Sequence, residues 1–347
     1  MSTSTDLRSS GPPPADLPGE QRAFPPWRKV VALVPVAVLA WVLYFVRIPY
    51  FVISPGPAQD VLPLIHIDEE TVYPTNGHLL LTAVNLQQPN VYEALWAWVD
   101  DTQAVVPEGD ILTPGESQQQ EVRRQLSEMD TSKIDAAYVA LRAYANYPAE
   151  HGRGVLVESV LPDAPADGKL FAGDLIESVD GKPVNDPEEL GNLIRAAGVG
   201  KAVTIRIKAA KETHDVSVRP ARVEGIAYPV IGVAGVQNFP FPLTIDSGNI
   251  GGPSAGLMWT LGLADLLTPG DLTGGKTIAG TGTIDLEGKV GPIGGIAEKV
   301  IAAERAGARI FFAPLLDASE ARGAADKMVV VPVSSFMDAV RYLQQNA

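Results

Sequence analysis

Residues 249–267 read NIGGPSAGLMWTLGLADLL, and this stretch decides the fold. Leu257 to Leu267 is strongly apolar, and the pattern predicts a helix. Pro253 suits the first helical position, where its missing N–H costs nothing. Ser254 then falls in the first turn. There the free backbone N–H groups and the positive end of the helix dipole favour negative charge, so Ser254 is a candidate nucleophile with an oxyanion site at hand. Gly252 allows close approach of a substrate backbone. Taken alone, the pattern equally fits a serine that merely caps a helix.

A second stretch weighs against the capping role. Residues 288–307 read GKVGPIGGIAEKVIAAERAG. The spacing predicts a helix over 296–306, closed by Gly307. Ile296, Val300 and Ala303 share one face. Lys299 lies on that apolar face, while Glu298, Ala302 and Arg305 point elsewhere. Burial disfavours the ammonium form of a lysine and frees an amine to act as base, which is what a serine nucleophile needs. The competing role is a lysine whose stem is buried and whose charge reaches water.

Composition excludes several chemistries. The net charge of −14 over 347 residues speaks against a nucleic-acid partner. There is no cysteine, hence no disulfide, Cys-ligated zinc or thiol nucleophile. His66, His78, His151 and His214 are scattered, so no metal site is expected. Residues 252–256 also fit a hydrolase nucleophile elbow, but no histidine follows His214 to complete a triad. Residues 270–277 (GDLTGGKT) fit a P-loop pattern. A phosphate loop needs a strand before it and a helix after it, and here the order is reversed, so no nucleotide is expected.

At the other end, Val30 to Val46 is a run of seventeen residues without a charge, near the lower limit for a membrane span. Trp27, Trp41, Tyr44 and Tyr50 suit interfacial belts. Arg8, Arg22, Arg28 and Lys29 precede the run. After Arg47 the next basic residue is Arg123, with eleven Asp or Glu between. The expected topology is a cytoplasmic N-terminus and an extracytoplasmic body. Bulky Tyr44 to Ile48 disfavour a cleaved signal peptide. Residues 1–26, rich in Ser, Pro and Gly, are expected to be a disordered tail.

The middle of the chain has its own signature: Gly154-Val155-Leu156-Val157, Ala164-Pro165-Ala166, Gly173-Asp174-Leu175-Ile176, then the turn Asp180-Gly181 and a helix from Pro187 capped by Asp186. Strands are expected at 202–208 and 214–219. This order resembles the PDZ domains of bacterial envelope proteases. The resemblance implies a peptide groove between strand 154–159 and helix 187–197, with Gly154, Val155, Leu156 and Val157 as binding residues.

Gly252-Pro253-Ser254-Ala255-Gly256, Thr281-Gly282-Thr283-Ile284 and Gly288 to Lys299 are together similar to the proteolytic domain of Lon proteases, in order and spacing through Phe311-Phe312-Ala313-Pro314. The resemblance implies Ser254 as nucleophile and Lys299 as base. Thr281 lies beside them as a supporting hydroxyl, with Gly252 and Pro253 shaping the serine turn. Many Lon enzymes carry Asp three residues before the serine, where this chain has Gly251. Weaker similarity at Gly77 to Ala83 and Met129 to Leu141 implies that the PDZ module is inserted into the protease domain.

The expectation is therefore an α/β (α+β) Lon-type proteolytic domain with an inserted, mainly β PDZ domain and one N-terminal transmembrane helix. Its divisions are a tail (1–26), an anchor (27–50), two protease parts (51–150 and 223–347) and the PDZ module (151–222). Residues 117–145 are expected to be helical with a break near Asp130-Thr131-Ser132. The whole resembles membrane-anchored, PDZ-containing Lon-like proteases of bacteria. That resemblance implies a cofactor-free, ATP-independent serine endopeptidase acting on extracytoplasmic or membrane-associated proteins, and a homo-hexameric ring. The alternatives are an inactive PDZ scaffold and an esterase using the same dyad.

Overall fold

The computed structural model describes residues 26–209 and 212–346. Helix α1 (Pro26–Phe45) contains Pro35. The side chains of residues 26–33 and 36 lie outside the described residues, as does the expected tail apart from Pro26, so the anchor at 30–46 falls partly outside them. Among the described residues no helix is long and apolar enough to cross a membrane.

A six-stranded sheet follows, drawing on both ends of the chain. In spatial order its strands are Val329–Val333, Ile310–Pro314, Thr277–Gly280, His78–Gln87, Tyr50–Asp60 and Ala104–Pro107. The first four run parallel and the last two pair antiparallel. Parallel strands need covering on both faces. One face receives α5 (Gly256–Leu267), which packs on α3 (Gln118–Tyr144) and is buried along nearly its whole length. Leu257, Trp259, Leu261 and Leu263 are wholly buried there with Leu79, Leu81 and Phe312. The other face receives α6 (Ile296–Arg305) and α7 (Ala318–Ala324) through Val300, Ala303, Phe311 and Ala321. The chain ends in α8 (Phe336–Asn346), which packs on α5.

Helix α3 is continuous, where a break near Asp130-Thr131-Ser132 was expected. Ser117 and Gln120 close a capping box at its start. Ser132 and Asp135 lie on its buried face, so tertiary packing carries the polar stretch through. Short α2 (Val91–Ala97) is capped by Asn90 and Glu93 in the same way.

Between α3 and α5 sits a second, antiparallel sheet. Its order is Val233–Gln237, Val155–Val160, Leu175–Val179, Val203–Ala209 and Glu212–Val218, with helix α4 (Pro187–Ala197) beside it. It has its own core of Val155, Val157, Ile176, Ile194, Ile205 and Ile207. Asp180 and Gly181 both take positive φ, 49° and 74°, and make the tight hairpin turn. The sheet draws an edge strand from Val233–Gln237, beyond the boundary expected at 222.

Candidate active site

Gly252 starts the site with φ at 85°, a conformation suited to glycine. It turns the chain into a 3₁₀ turn, Pro253–Ala255, that runs straight into α5. Four hydrogen bonds pin this turn. Gly252 N–H donates to the Gln125 carbonyl at 2.7 Å, and Ser132 Oγ donates to the Pro253 carbonyl at 3.0 Å. The Ser254 carbonyl accepts from Gly282 N–H at 2.7 Å and from Thr281 Oγ1 at 3.0 Å. With its backbone held on both sides, Ser254 presents Oγ at the mouth of a helix N-terminus.

Lys299 comes to meet it from α6. Its side chain is only 3 % exposed. Nζ lies 2.6 Å from Ser254 Oγ and 3.2 Å from Thr281 Oγ1. Burial pushes this lysine down to about 8, against a smaller opposing pull from the Asp317 carboxylate. Near neutral pH a usable fraction is thus the free amine, poised to take the Ser254 proton. The snorkelling role does not hold, because ammonium and stem are buried together.

Glu298, expected to point elsewhere, is also buried, and burial raises its carboxyl. It follows Gly295, the positive-φ residue before α6, so it sits in the helix's first turn, where an acidic side chain is favoured.

Sequence reasoning missed Ser132 and Gln125. Ser132 was visible as a polar residue on the helical stripe of Met129, Ala136 and Ala140, all of them buried. The glycine at 251 also has a local cause. A Cβ there would lie 2.8 Å from Gln125 Cβ and 3.2 Å from its carbonyl carbon, so α3 leaves no room for a side chain. The stretch 270–277 lies between α5 and strand Thr277–Gly280, the reverse of a phosphate loop's order.

The peptide groove needs a correction. Strand Val155–Val160 pairs with Val233–Gln237 on one side and Leu175–Val179 on the other. With both edges bonded and Val155 and Val157 wholly buried, Gly154, Val155, Leu156 and Val157 offer no edge for an added strand. Beside α4 the sheet's edge strand is Val233–Gln237. Between them lies a groove of about 600 Å³ lined by Leu190, Ile194, Arg195, Tyr228, Gly232 and Val233. Gly232 has φ 81°, and a Cβ there would strike that of Ala164. The signal was the run Tyr228 to Gly235 (YPVIGVAG), an apolar strand approach lying past the expected boundary.

Two family models match. Residues 245–330 match the Lon protease (S16) C-terminal proteolytic domain, and residues 126–219 match the PDZ domain. The second match begins inside α3 and stops short of strand Val233–Gln237. Over 71 residues the chain is 48 % identical to a Lon protease of Roseiflexus castenholzii, covering 20 % of this chain and 9 % of that one. Over 104 residues it is 35 % identical to the magnetosome formation protease MamE of Magnetospirillum gryphiswaldense, covering 28 % and 13 %. The solved PDZ domain of an SdrC-like protein from Listeria monocytogenes is 32 % identical, with TM-score 0.23, covering 24 % of this chain and 87 % of that one. The chain spans about a tenth of the length of the curated relatives it matches.

Proposed function

We propose that this chain, which carries a Lon-type (S16) serine-peptidase domain together with a PDZ domain, hydrolyses peptide bonds with Ser254 as nucleophile and Lys299 as general base, without ATP. The observation that carries this is the 2.6 Å contact between a buried lysine amine and a serine hydroxyl at a helix start. Neutral Lys299 takes the hydroxyl proton as Oγ attacks the carbonyl carbon. The developing oxyanion is met by the N–H groups of Ser254 and Ala255, since Pro253 has none and Gly256 N–H is bonded to the Pro253 carbonyl. The resulting ammonium then protonates the leaving amine, and water repeats the cycle to release the acyl group. Thr281 Oγ1 touches both Lys299 and the Ser254 carbonyl, so it aligns amine and nucleophile.

Substrates are flexible or unfolded protein segments, since no unfolding motor is invoked. A C-terminal segment would add to strand Val233–Gln237 in the groove beside α4. The body is held outside the cytoplasm by residues 30–46. Supporting this, Val34, Val38, Leu39, Trp41 and Phe45 of α1 are all exposed large apolar side chains.

The full chain in detergent, incubated with an unstructured protein and no ATP, should cleave it, and Ser254→Ala and Lys299→Ala should not. Cleavage that persists in Lys299→Ala would remove the lysine from the mechanism.

A further inference from the structure

Helix α2 turns its apolar side outward. Tyr92, Leu95 and Trp96 recur at i, i+3 and i+4, one stripe of a helix, Val99 in the turn that follows carries the stripe on, and all are exposed. Trp96 is 71 % exposed, Val99 79 %, and neighbouring Trp98 82 %. A folded domain rarely leaves such a stripe to water. Ala97, on the opposite side, is buried, so the helix docks on the body by its small residue and displays its large ones.

The stripe lies on the same side as α1. The Tyr92 hydroxyl donates to the Ala40 carbonyl at 3.0 Å, and Arg47 pairs with Glu93 at 2.8 Å. Ile48 N–H further ties α1's exit to the Pro89 carbonyl. Ala40 is five residues before the helix end at Phe45 and seven before Arg47, roughly 8 Å along the axis to the helix end. If residues 30–46 span the bilayer with Arg47 at its border, whatever touches Ala40 is below the border too.

We propose that α2 is an interfacial membrane helix: Tyr92, Leu95, Trp96, Trp98 and Val99 insert into the outer surface of the lipid bilayer beside the anchor and fix how the protease body stands on it. This rests on the anchor proposed above. The occupant is lipid because the stripe continues the apolar surface of α1. Trp and Tyr favour the layer where hydrocarbon meets headgroups. The chain's net charge of −14 does not favour anionic lipid, so insertion is apolar in origin. Asp100 and Asp101 end the stripe at once. Thr102 and Gln103 bond the Asp100 carboxylate and hold it below the usual range, so this end stays charged at headgroup level.

Because the chain has no cysteine, single labels are unambiguous. The full chain in phosphatidylcholine–phosphatidylglycerol bilayers would carry a nitroxide at Leu39→Cys, Trp98→Cys or Phe171→Cys, and collisions with oxygen and with a water-soluble nickel chelate would be compared. The expected result is that labels 39 and 98 favour oxygen and label 171, exposed on the PDZ module, favours nickel. Label 39 in lipid with label 98 open to nickel overturns the inference and leaves the anchor standing. Label 98 closed to both reagents assigns the stripe to a protein contact and also overturns it. Label 39 open to nickel removes the anchor and the inference together.

Discussion

The amine of Lys299 and the hydroxyl of Ser254 stand 2.6 Å apart although their helices lie on opposite faces of the same sheet. The contact is made past the C-terminal end of strand Thr277–Gly280, where Thr281 reaches both residues. Separate, well-packed helices thus hold the two side chains in the frame of the core.

Burying Lys299 has an energetic cost that its removal should reveal. Its folded pKa of about 8 lies below that of an unfolded lysine, so the unfolded chain binds the extra proton between the two. The penalty is full below about pH 8 and fades as pH approaches 10.5. Lys299→Met should therefore abolish cleavage yet raise stability at pH 7, by up to about 3 kcal/mol. Urea unfolding at pH 7 and pH 10 measures it, with the gain shrinking at the higher pH.

Asp317 works against the free amine by favouring the ammonium. In Asp317→Asn the rising limb of cleavage rate against pH should move to lower pH, with the limb of the parent centred near 8. The Asn side-chain oxygen can still accept the Ile293 N–H that Asp317 now takes.

Thr281→Val keeps the shape and removes the hydroxyl. It loses contacts to Lys299 and to the Ser254 carbonyl, and turnover should fall about 10- to 100-fold. Melting temperature should change far less than turnover. A variant with parental rates would leave Thr281 with no part in alignment.

Asp135 is buried on α3, and its Oδ1 has no hydrogen-bond partner among the described residues. Burial, then the charges of Glu158, Asp285 and Glu287, push its carboxyl up to about 7. The folded state holds a proton the unfolded state releases, so stability contributed below about pH 4 is lost as pH rises through 7. Asp135→Asn should stabilise the protein at pH 8 and have little effect at pH 4, as thermal melts at the two values would record.

An apolar C-terminal peptide should slow amide hydrogen exchange in Val233–Gln237 and leave 155–157 unchanged, since those amides are already within the sheet. Protection confined to 155–157 would restore the groove first expected there.

The meeting of Ser254 and Lys299 was legible because both sit in local patterns: a proline-led turn into an apolar helix, and a lysine on a helix's apolar face. The insertion was expected from resemblance at Gly77 to Ala83 and Met129 to Leu141, and strands His78–Gln87 and Thr277–Gly280, which flank the second sheet in sequence, pair in one sheet. Other features depend on which strands meet. The groove went to Val233–Gln237 because that strand, distant in sequence, pairs over Val155–Val160 and uses up its edge. Helix α3 stayed whole because α5 packs along it, and Gly251 follows from the close approach of Gln125. Neither contact is written in local periodicity.

The central claim is that neutral Lys299 activates Ser254. Its most direct test is the rate of covalent acylation at Ser254 by an active-ester reagent, located by mass spectrometry, as a function of pH. The account predicts labelling of Ser254 whose rate rises through about pH 8, with none in Lys299→Met at any pH. Labelling of Lys299→Met at the parental rate would contradict it.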